Sequence, residues 1–441
     1  MKSIWQKVHI ILTILCLFGL GIQSAIALSN EECNLQEQIT FKEIKGEVVD
    51  SNTKKPLGFA TLNLLESNIS SITNTEGKFI LKIPASIRNG KIKISFIGYK
   101  SKEVAIAELT DSFTTISLNE SVLELQEVNI LTLKDATNLV KEVFKNKGDN
   151  YLKDPTVMTA FYREIIKKRN RNVSLSEAVV NIYKTPYISM KKDEIKIFKA
   201  RKSTDYRKLD TIAFKLQGGP FNSLFIDMIK YPKYIFGDQN IEDYNFNFNR
   251  VTEINGKAIY VIKFKQNKGV TKPLYKGELY IEPQNKILIS AVYSLNITNN
   301  FEASKLFVKR KPRNAYVYPK EVIYRVDYTE HEGKWHYSYS NAMLEFKIKW
   351  DKKLFNTVYT MNCEMAITDW EINSSAPKLS KNERIKTSII LSDAVSGFSD
   401  PNFWGEHNII EPEKNIESAI RKIQKQLEKD KTKGRTSSAI P

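Results

Sequence analysis

Histidine and cysteine are scarce in this chain, which has four His and three Cys in 441 residues. Zinc peptidases need clustered His and carboxylate ligands, and small secreted scaffolds need several Cys pairs, so the scarcity argues against both classes. Cys16 lies in an N-terminal apolar stretch, which leaves Cys33 and Cys363. One disulfide between these two stays open, and burial of apolar side chains has to hold the fold together.

Long apolar runs are missing except at the N-terminus. Lys2 and Lys7 precede the apolar run Ile10–Leu20, and Ala25 and Ala27 form a small-residue cleavage pattern. The run is shorter than the roughly 20 apolar residues of a membrane-spanning helix. It therefore predicts a cleaved secretory signal over residues 1–27. The mature chain is expected to be exported and to reside in the periplasm, at the outer membrane or outside the cell.

The chain has no acidic excess. Its 67 Lys and Arg outnumber 50 Asp and Glu, for a formal charge of +17. Lysines alternate with apolar residues, as in KIKIS and EFKIKW, which is typical of the solvent face of a β-sheet. Export argues against nucleic acid as a partner. Anionic lipid headgroups and acidic glycans stay open, because a basic surface attracts both.

Sequence motifs of the common catalytic classes are absent. There is no His-Glu-x-x-His, no Gly-x-Ser-x-Gly, no Gly-Lys-Ser/Thr phosphate loop and no Gly-x-Gly-x-x-Gly. His331 and His336 flank a predicted turn with Glu332, but three or four ligands are usual for a metal. Exposed turn residues are the simpler interpretation. The sequence therefore predicts no metal site, no cofactor and no enzymatic activity.

Two other candidates for chemistry have simpler interpretations. Glu164 and Glu177 could form a carboxylate pair of the kind that glycosidases use, whereas ion pairing across strands with Arg163 or Lys167 would be structural. Cys363 lies in the strand-like stretch TMNCEMAI. It is expected to be a buried, inert thiol.

Residues 44–119 have the pattern of a small β-sandwich. Short alternating stretches such as IKGEVVD, KFILKI and KIKISF are separated by turn signals such as NTEG and RNG. About seven short strands in roughly 75 residues favour two packed antiparallel sheets.

Within this region the motifs G-x-V-x-D-x-x-T-x-x-P-L, T-x-x-x-G-x-F and I-G-Y-K are similar to the carboxypeptidase-regulatory-like domain of Bacteroidota exported proteins. The resemblance implies a transthyretin-like β-sandwich without zinc ligands or peptidase activity. The matching positions are Gly46, Val48, Asp50, Thr53, Pro56, Leu57, Ala60, Thr73, Gly77, Phe79, Phe96, Gly98 and Tyr99. Glu76 stands where the family commonly has Asp, and either carboxylate tolerates the turn. Core and turn roles account for these residues.

The rest of the chain predicts a larger β-rich domain. An amphipathic helix is expected within residues 133–150, and residues 157–372 contain long, aromatic-rich alternating stretches. Their texture, most of all in YKGELYIEPQNKILISAVYS, resembles the half-barrels of LolA/LolB-like lipoprotein carriers. The predicted fold is mainly β: the N-terminal sandwich followed by a curved antiparallel sheet with a few helices.

A C-terminal extension is expected over residues 373–430, with a helix at 413–430 and a loose tail at 431–441. Together with TAFYRE and SEAVVNIYKTPY, this end resembles an uncharacterised family of Bacteroidota proteins that pairs the regulatory-like domain with the β-rich region. That resemblance implies no activity.

The clearest functional hypothesis concerns the apolar segment Leu216–Phe236. It either plugs the open face of the sheet, as burial preference favours, or lines a cavity for an apolar ligand. Gly218, Gly219 and Pro220 would then serve as a hinge. The predicted ligand-binding residues are Phe221, Leu224, Phe225, Met228, Ile229, Tyr231, Tyr234 and Phe236.

The sequence thus favours a non-enzymatic cell-envelope protein. The sandwich would serve as a docking or spacer module, and the β-rich domain would bind a lipidic or apolar ligand or a partner protein. A structural accessory of an outer-membrane assembly without a small ligand and a hydrolase with an unrecognised site are the alternatives.

Overall fold

The computed structural model describes residues 41–109, 112–121, 135–169, 171–204, 216–236, 241–309, 311–351, 354–374, 379–395, 403–414 and 416. The predicted signal at 1–27, the tail at 431–441, Cys33 and most of the predicted helix at 413–430 lie outside these residues. No helix in the described ranges combines the length and apolar character that a bilayer crossing requires.

Seven strands at the N-terminus form two small sheets. They are β1 (Phe41–Asp50), β2 (Thr61–Leu64), β3 (Ser70–Ile72), β4 (Lys78–Pro84), β5 (Lys91–Ser95), β6 (Lys102–Ala105) and β7 (Thr114–Leu118). One sheet has the order β4-β1-β7 and the other β3-β2-β5-β6. Alternate residues of both sheets share one buried apolar cluster, which includes Val48, Leu62 and Phe79. The mainly β prediction, with a sandwich first, is confirmed.

The sequence motifs of the sandwich have structural roles. An Asp50 carboxylate oxygen accepts hydrogen bonds from the backbone N–H of Thr53 at 2.6 Å and from its hydroxyl at 2.9 Å, which closes the turn after β1. The Tyr99 hydroxyl donates to the other oxygen at 2.8 Å. Gly77 has a φ of +73°, and a Cβ there would lie 2.7 Å from the Val48 carbonyl oxygen, so only glycine fits this turn.

In the described residues, ten antiparallel strands form a third, larger sheet. They are β8 (Thr156–Lys168), β9 (Arg171–Lys184), β10 (Glu194–Thr204), β11 (Tyr244–Ile254), β12 (Lys257–Gln266), β13 (Tyr275–Glu282), β14 (Ile287–Leu295), β15 (Ala315–His331), β16 (Lys334–Trp350) and β17 (Thr357–Ile372). Their order is β10-β9-β8-β17-β16-β15-β14-β13-β12-β11. The sheet is open, with β10 and β11 at its edges.

Six α-helices accompany the large sheet within the described ranges. They are α1 (Ala136–Lys145), α2 (Lys147–Asn150), α3 (Pro220–Leu224), α4 (Lys233–Phe236), α5 (Asn300–Phe307) and α6 (Leu391–Ala394). The Asp135 side chain caps α1 by accepting from the Asn138 backbone N–H. The apolar side of α1 carries Ala136, Leu139, Val140 and Val143 into the main core.

The two faces of the large sheet carry different partners. The inner face, to which Tyr162 and Ile182 contribute, packs against α1 and the segment Leu216–Phe236 in the main core. The outer face, to which Phe161 and Val179 contribute, packs against Ile72 of the sandwich and Trp404 in a separate cluster. Because side chains alternate along a strand, neighbours in sequence belong to opposite faces.

The C-terminal residues bind the two parts of the molecule together. Residues 379–395 run beside the edge strand β10, where the backbone N–H of Ile385 donates to the Ile195 carbonyl. We call residues 403–414 the C-terminal strap. It crosses the outer face and reaches the sandwich, where the Asn408 side chain accepts from the backbone N–H of Lys82 at 2.6 Å and donates to its carbonyl at 3.1 Å.

Candidate functional site

The apolar segment Leu216–Phe236 lies against the inner face of the large sheet. Gly219 precedes α3, and Pro220 occupies the first turn of that helix, where its missing N–H costs nothing. Most of the predicted ligand-binding side chains are buried in the main core: Phe221, Leu224, Met228, Ile229, Tyr231 and Phe236. Phe225 is half-buried, and Tyr234 is 41% exposed and stacks on Phe225 with ring centroids 4.9 Å apart. Only this pair of the predicted residues reaches towards solvent.

A buried ion cluster fixes the segment to the sheet. Lys184, at the end of β9, donates to Asp227 of the segment at 2.7 Å and to Asp193 at 3.2 Å. All three side chains are buried. Burial alone lowers the pKa of Lys184, but the two carboxylates outweigh it, and the net pKa is raised. The lysine is therefore charged, and the carboxylates compensate that charge.

Further polar contacts surround this cluster. The Tyr328 hydroxyl donates to Asp227 at 3.0 Å and accepts from the Ile229 backbone N–H at 3.1 Å. Lys230 donates to the Pro186 and Ser189 carbonyls, and burial lowers its pKa to about 8. A segment held by so many buried polar contacts is a fixed wall of the core. The Gly218–Pro220 hinge stays a prediction without a structural feature that requires it.

A groove opens beside the exposed end of this wall. Its volume is about 400 Å³, and Phe221 and Phe225 form its apolar side. The opposite side consists of residues 381–387, which run along β10, and the start of β10 completes it. The volume lies within the range of small-molecule sites, roughly 300–1,000 Å³. Two of the eight predicted residues therefore meet at a surface groove, and Tyr234 lies next to one of them.

The rim of the groove is predominantly basic. Its basic side chains are Lys192, Lys381, Arg384 and Lys386. Both acidic groups of the rim already have cationic partners, since Glu194 accepts from Arg384 at 2.6 Å and Asp193 from Lys184. The groove thus combines an aromatic wall with a positive rim. No sequence motif points to residues 381–387 as part of a site, because they come near Phe225 only through the tertiary fold.

A second cavity lies between the sandwich and the large sheet. Its volume is about 430 Å³, and it is lined by β2 and the turn at 65–69 on one side and by the β15–β16 hairpin on the other. The lining mixes Trp335, Trp370 and apolar residues with acidic, basic and amide side chains. It is slightly larger than the groove. We call the contact region between the sandwich and the large sheet the seam, and a cavity between two domains in contact is expected there.

The two predicted turn histidines lie on this seam. His331 and His336 both pack against Trp370, with ring centroids 5.3 and 5.2 Å from it. Burial lowers the pKa of His336 to about 4, so its imidazole is neutral at pH 7. The expectation that both are exposed is wrong for His336, which is buried. In the part of the chain that the structure describes, no three His, Cys, Asp or Glu side chains come together as a metal site would require.

Glu164 and Glu177 do not form a carboxylate pair. Glu164 is opposite Ser176 and Glu177 is opposite Arg163 in the β8–β9 register, so the two carboxylates point to different faces. On the outer face Arg163 donates to Glu177 at 2.8 Å and to Glu364 at 3.1 Å. This is the ion pairing across strands that the sequence offered as the alternative.

Glu164 lies on the inner face beside Cys363. It accepts a hydrogen bond from the Tyr162 hydroxyl at 2.9 Å, and burial raises its pKa to about 7. Cys363 is a free, buried thiol whose pKa is raised by burial. A buried thiol whose pKa is raised stays protonated at neutral pH and provides no thiolate nucleophile.

Comparison with known families supports the N-terminal resemblance. Residues 44–130 match the family model described as CarboxypepD_reg-like domain. The match covers the sandwich and a short stretch after it. No curated protein matches the chain in sequence.

Several solved structures are similar in fold, and three examples each align with more than half of this chain. An outer membrane lipoprotein-sorting protein domain from Vibrio parahaemolyticus is 10% identical, with 57% of this chain and 96% of that chain covered and a TM-score of 0.25. A DUF1329 family protein from Desulfovibrio piger is 9% identical, with 56% and 95% covered and a TM-score of 0.22. A lipovitellin structure described by its lipid–protein interactions is 8% identical, with 58% and 29% covered and a TM-score of 0.26. These scores are too low to carry an argument about function.

Proposed function

We propose that this chain, whose residues 44–130 match the carboxypeptidase-regulatory-like domain, is a non-enzymatic binding protein of the cell envelope. Its ligand is an amphiphile with an apolar chain and an anionic head. The observation that carries the proposal is the groove of about 400 Å³ with an aromatic wall and a basic rim. Such a combination suits a molecule that is apolar at one end and negatively charged at the other.

The apolar chain would lie against Phe221 and Phe225. Phe225 also contacts Tyr231 and Tyr234 through its ring, with centroids 5.2 and 4.9 Å away. These neighbours orient the ring without covering it fully. A half-buried aromatic side chain that is already held in place loses little conformational entropy when a ligand covers it.

The anionic head would lie at residues 381–387. Arg384 donates to Glu194 at 2.6 Å, which fixes the guanidinium at the rim. Lys381 and Lys386 add positive charge on the same segment. Their exposed ammonium groups attract an anion most strongly at low salt, since screening shortens the reach of the charge to about 8 Å at physiological ionic strength.

The other predicted residues keep a structural role in this proposal. Leu224, Met228, Ile229 and Phe236 form the back of the wall and do not reach the groove. Export and residence in the periplasm or at the outer membrane belong to the proposal, and the sandwich would serve as the docking or spacing module.

Binding of cis-parinaric acid, a fluorescent fatty acid, tests the groove. We expect saturable binding by the parent chain, and we expect Phe225→Asp to weaken it at least about tenfold, because a carboxylate replaces apolar contact area and repels the anionic head. Lys386→Glu should weaken it less. Tyr316→Asp, at an exposed tyrosine far from the groove, is the matched control and should bind as the parent chain does.

Circular dichroism must be the same in all variants. Ile229→Asp is unsuitable as a probe, because that side chain is fully buried and a carboxylate there would unfold the core. Equal binding by the parent chain and Phe225→Asp would reject the groove. Native mass spectra of the protein from its producing cells, before and after solvent extraction, would identify the natural cargo class.

A structural accessory without a small ligand is the second candidate. It is favoured by the buried cluster of Lys184, Asp193 and Asp227, which makes the segment Leu216–Phe236 a permanent part of the core. A clean protein mass together with no binding of the fatty acid would favour this candidate.

A further inference from the structure

Five strand ends meet at the end of the large sheet that lies farthest from the groove. Ala315 of β15 pairs with Trp350 of β16, and Ile348 pairs with Thr357 at the start of β17. The backbone N–H of Arg169, in the turn between β8 and β9, donates to the Val358 carbonyl at 3.1 Å. We call this region, with α5 beside it, the basic end.

Large apolar side chains project into solvent at the basic end. Leu354 is 97% and Phe355 is 77% exposed in the turn between β16 and β17. Phe301 and Leu306 of α5 are also exposed. The Ser304 hydroxyl of this helix donates to the Val317 carbonyl, so α5 lies against the first residues of β15. Exposed apolar groups at one end of a molecule mark a contact surface.

Basic side chains surround these apolar groups. Arg169 follows β8, Arg171 begins β9, Lys349 is the last residue but one of β16, and the segment before β15 contributes Lys311 and Arg313; all five are exposed. Lys349 pairs in register with Tyr316, over whose ring the Lys311 ammonium lies at 5.4 Å. The cations therefore share one rim around the turn that carries Leu354 and Phe355.

Acidic side chains at the basic end do not cancel this charge. Glu302 is paired with Lys305 at 2.8 Å, and Glu345 is paired with Lys320 at 2.7 Å. Each of these carboxylates is matched by a lysine outside the set of five. Asp351 adds one negative charge beside the turn. The rim stays strongly positive.

We propose that the basic end docks on the surface of an anionic lipid bilayer. Leu354 and Phe355 enter the boundary between headgroups and acyl chains, and the surrounding Arg and Lys side chains contact lipid phosphates. Binding at the surface of a bilayer has two contributions. Apolar side chains insert into the boundary region, and cationic side chains are attracted to anionic lipids.

A membrane fits this surface better than a protein partner does. A protein interface needs about 800 Å² on each side with a well-packed apolar centre. The described apolar part of the turn consists of the two exposed side chains of Leu354 and Phe355, which offer no such area. Two such side chains insert between headgroups without needing a complementary pocket.

This docking is independent of the proposed amphiphile groove. Arg171 and Lys184 begin and end β9, and the groove lies near the Lys184 end. Fourteen residues of strand separate the two by roughly 45 Å. Either proposal can fail without the other.

Vesicle sedimentation tests the proposal. Vesicles of equal parts phosphatidylglycerol and phosphatidylcholine are compared with vesicles of phosphatidylcholine alone. The full chain and a chain starting at Leu28 are both used, because the apolar run Ile10–Leu20 would itself enter vesicles. We expect binding of the Leu28 chain to the anionic vesicles, with an affinity that falls as salt is raised.

Two variants separate the apolar and the electrostatic terms. We expect Leu354→Ser with Phe355→Ser to lower the partition coefficient at least about tenfold. Arg169→Glu with Arg171→Glu should lower it on anionic vesicles and weaken its salt dependence. Met190→Ser, at a side chain that is 92% exposed near the other end of the sheet, is the matched control and should change nothing.

Equal partition of the parent chain and the Leu354/Phe355 variant would overturn the proposal, and so would equal binding to neutral and anionic vesicles. Analytical ultracentrifugation of the same proteins tests the other possible occupant of the basic end, a second copy of this chain. Self-association that the Leu354/Phe355 variant abolishes, with no vesicle binding by the parent chain, would assign the basic end to a second copy of this chain.

Discussion

Neighbouring residues on one strand can have opposite electrostatic environments. Arg163 faces the outer side of β8 and is surrounded by Glu177, Glu364 and the Ile410 carbonyl, to which it donates at 2.8 Å. Glu164, the next residue, faces the inner side, where the groups beside it are the Tyr162 hydroxyl, which donates to it at 2.9 Å, and the Cys363 thiol. A buried charge needs a counter-charge, so the arginine stays ionised and the carboxyl takes up a proton.

The buried carboxyl makes stability depend on pH. Burial raises the pKa of Glu164 from 4.5 to about 7, so between these values the folded state keeps a proton that the unfolded state has released. The free energy of unfolding therefore falls as pH rises across this window. Glu164→Gln removes the titration. We expect the variant to gain about 2–3 kcal/mol over the parent chain on going from pH 4 to pH 8.

Urea unfolding at several pH values measures this difference. Glu371→Gln, at an exposed carboxylate of the same sheet, is the control and should leave the pH profile as it is. Parallel profiles for the parent chain and Glu164→Gln would show that Glu164 is ionised in the folded protein.

Replacing Arg163 on the outer face should lower the free energy of unfolding strongly. Arg163→Met leaves Glu364 buried with only the Tyr339 hydroxyl, which is 3.3 Å away, and deprives Glu177 of one of its two arginines. We expect a loss of about 3–5 kcal/mol in the free energy of unfolding. Adding Glu364→Gln should recover part of it, as a double-mutant cycle would reveal. A loss below about 1 kcal/mol would contradict the pairing.

At the scale of elements, the segment Leu216–Phe236 derives its position from charge as much as from apolar burial. Asp227 is the one charged residue between Phe221 and Ile229, and it meets Lys184 at 2.7 Å. A single acid within so apolar a run is a signal, available from sequence, that a buried cation lies opposite. Which cation it is depends on how the segment lies on β9, and local sequence does not specify that.

Asp227→Asn tests the attachment of the segment. Lys184 would keep Asp193 alone, and we expect a loss of about 2–4 kcal/mol in the free energy of unfolding. Limited proteolysis should cut within Leu216–Phe236 sooner in the variant than in the parent chain. Glu332→Gln, at an exposed turn, should change neither measurement. Unchanged proteolysis would mean that apolar packing alone holds the segment.

Local sequence predicted elements better than their partners. Alternation and turn signals indicated the strands of the sandwich and the large sheet, and the alternation of Arg163 and Glu164 is enough to place them on opposite faces. The pairing of β8 with β17 joins residues about two hundred positions apart, and no local pattern encodes it. The groove depends on residues 381–387 meeting Phe225, so only its aromatic half could be foreseen.

On the scale of the whole molecule, the C-terminal strap joins the sandwich to the large sheet. Trp404 packs edge-on against Phe161 at 5.4 Å, and the Arg201 guanidinium lies over its ring at 4.8 Å. Phe59 of the sandwich contacts Tyr339 of the sheet at 5.6 Å in the same apolar cluster. The seam therefore has a core of its own, and the two parts should unfold together.

Trp404→Ala should uncouple them. Loss of a buried tryptophan lowers the free energy of unfolding by about 3–5 kcal/mol, and here it weakens the contact between the sandwich and the large sheet. We expect one calorimetric transition for the parent chain and two for the variant, the sandwich and the sheet melting separately. Tyr316→Ala, at an exposed aromatic side chain of β15, should keep the single transition. A single transition in Trp404→Ala would show that the sandwich is held by other contacts.

The strap also implies an order of folding during synthesis of the chain. All seven strands of the sandwich lie within residues 41–118, so the sandwich can form as soon as these residues have emerged from the ribosome or the translocation channel. β8 and β9 must then wait, with one edge open, until β17 has followed some two hundred residues later. The contact of Asn408 with Lys82 comes last. A chain interrupted before residue 403 would thus carry a finished sandwich and an unsealed sheet, the kind of intermediate that quality-control proteases recognise by its exposed apolar face.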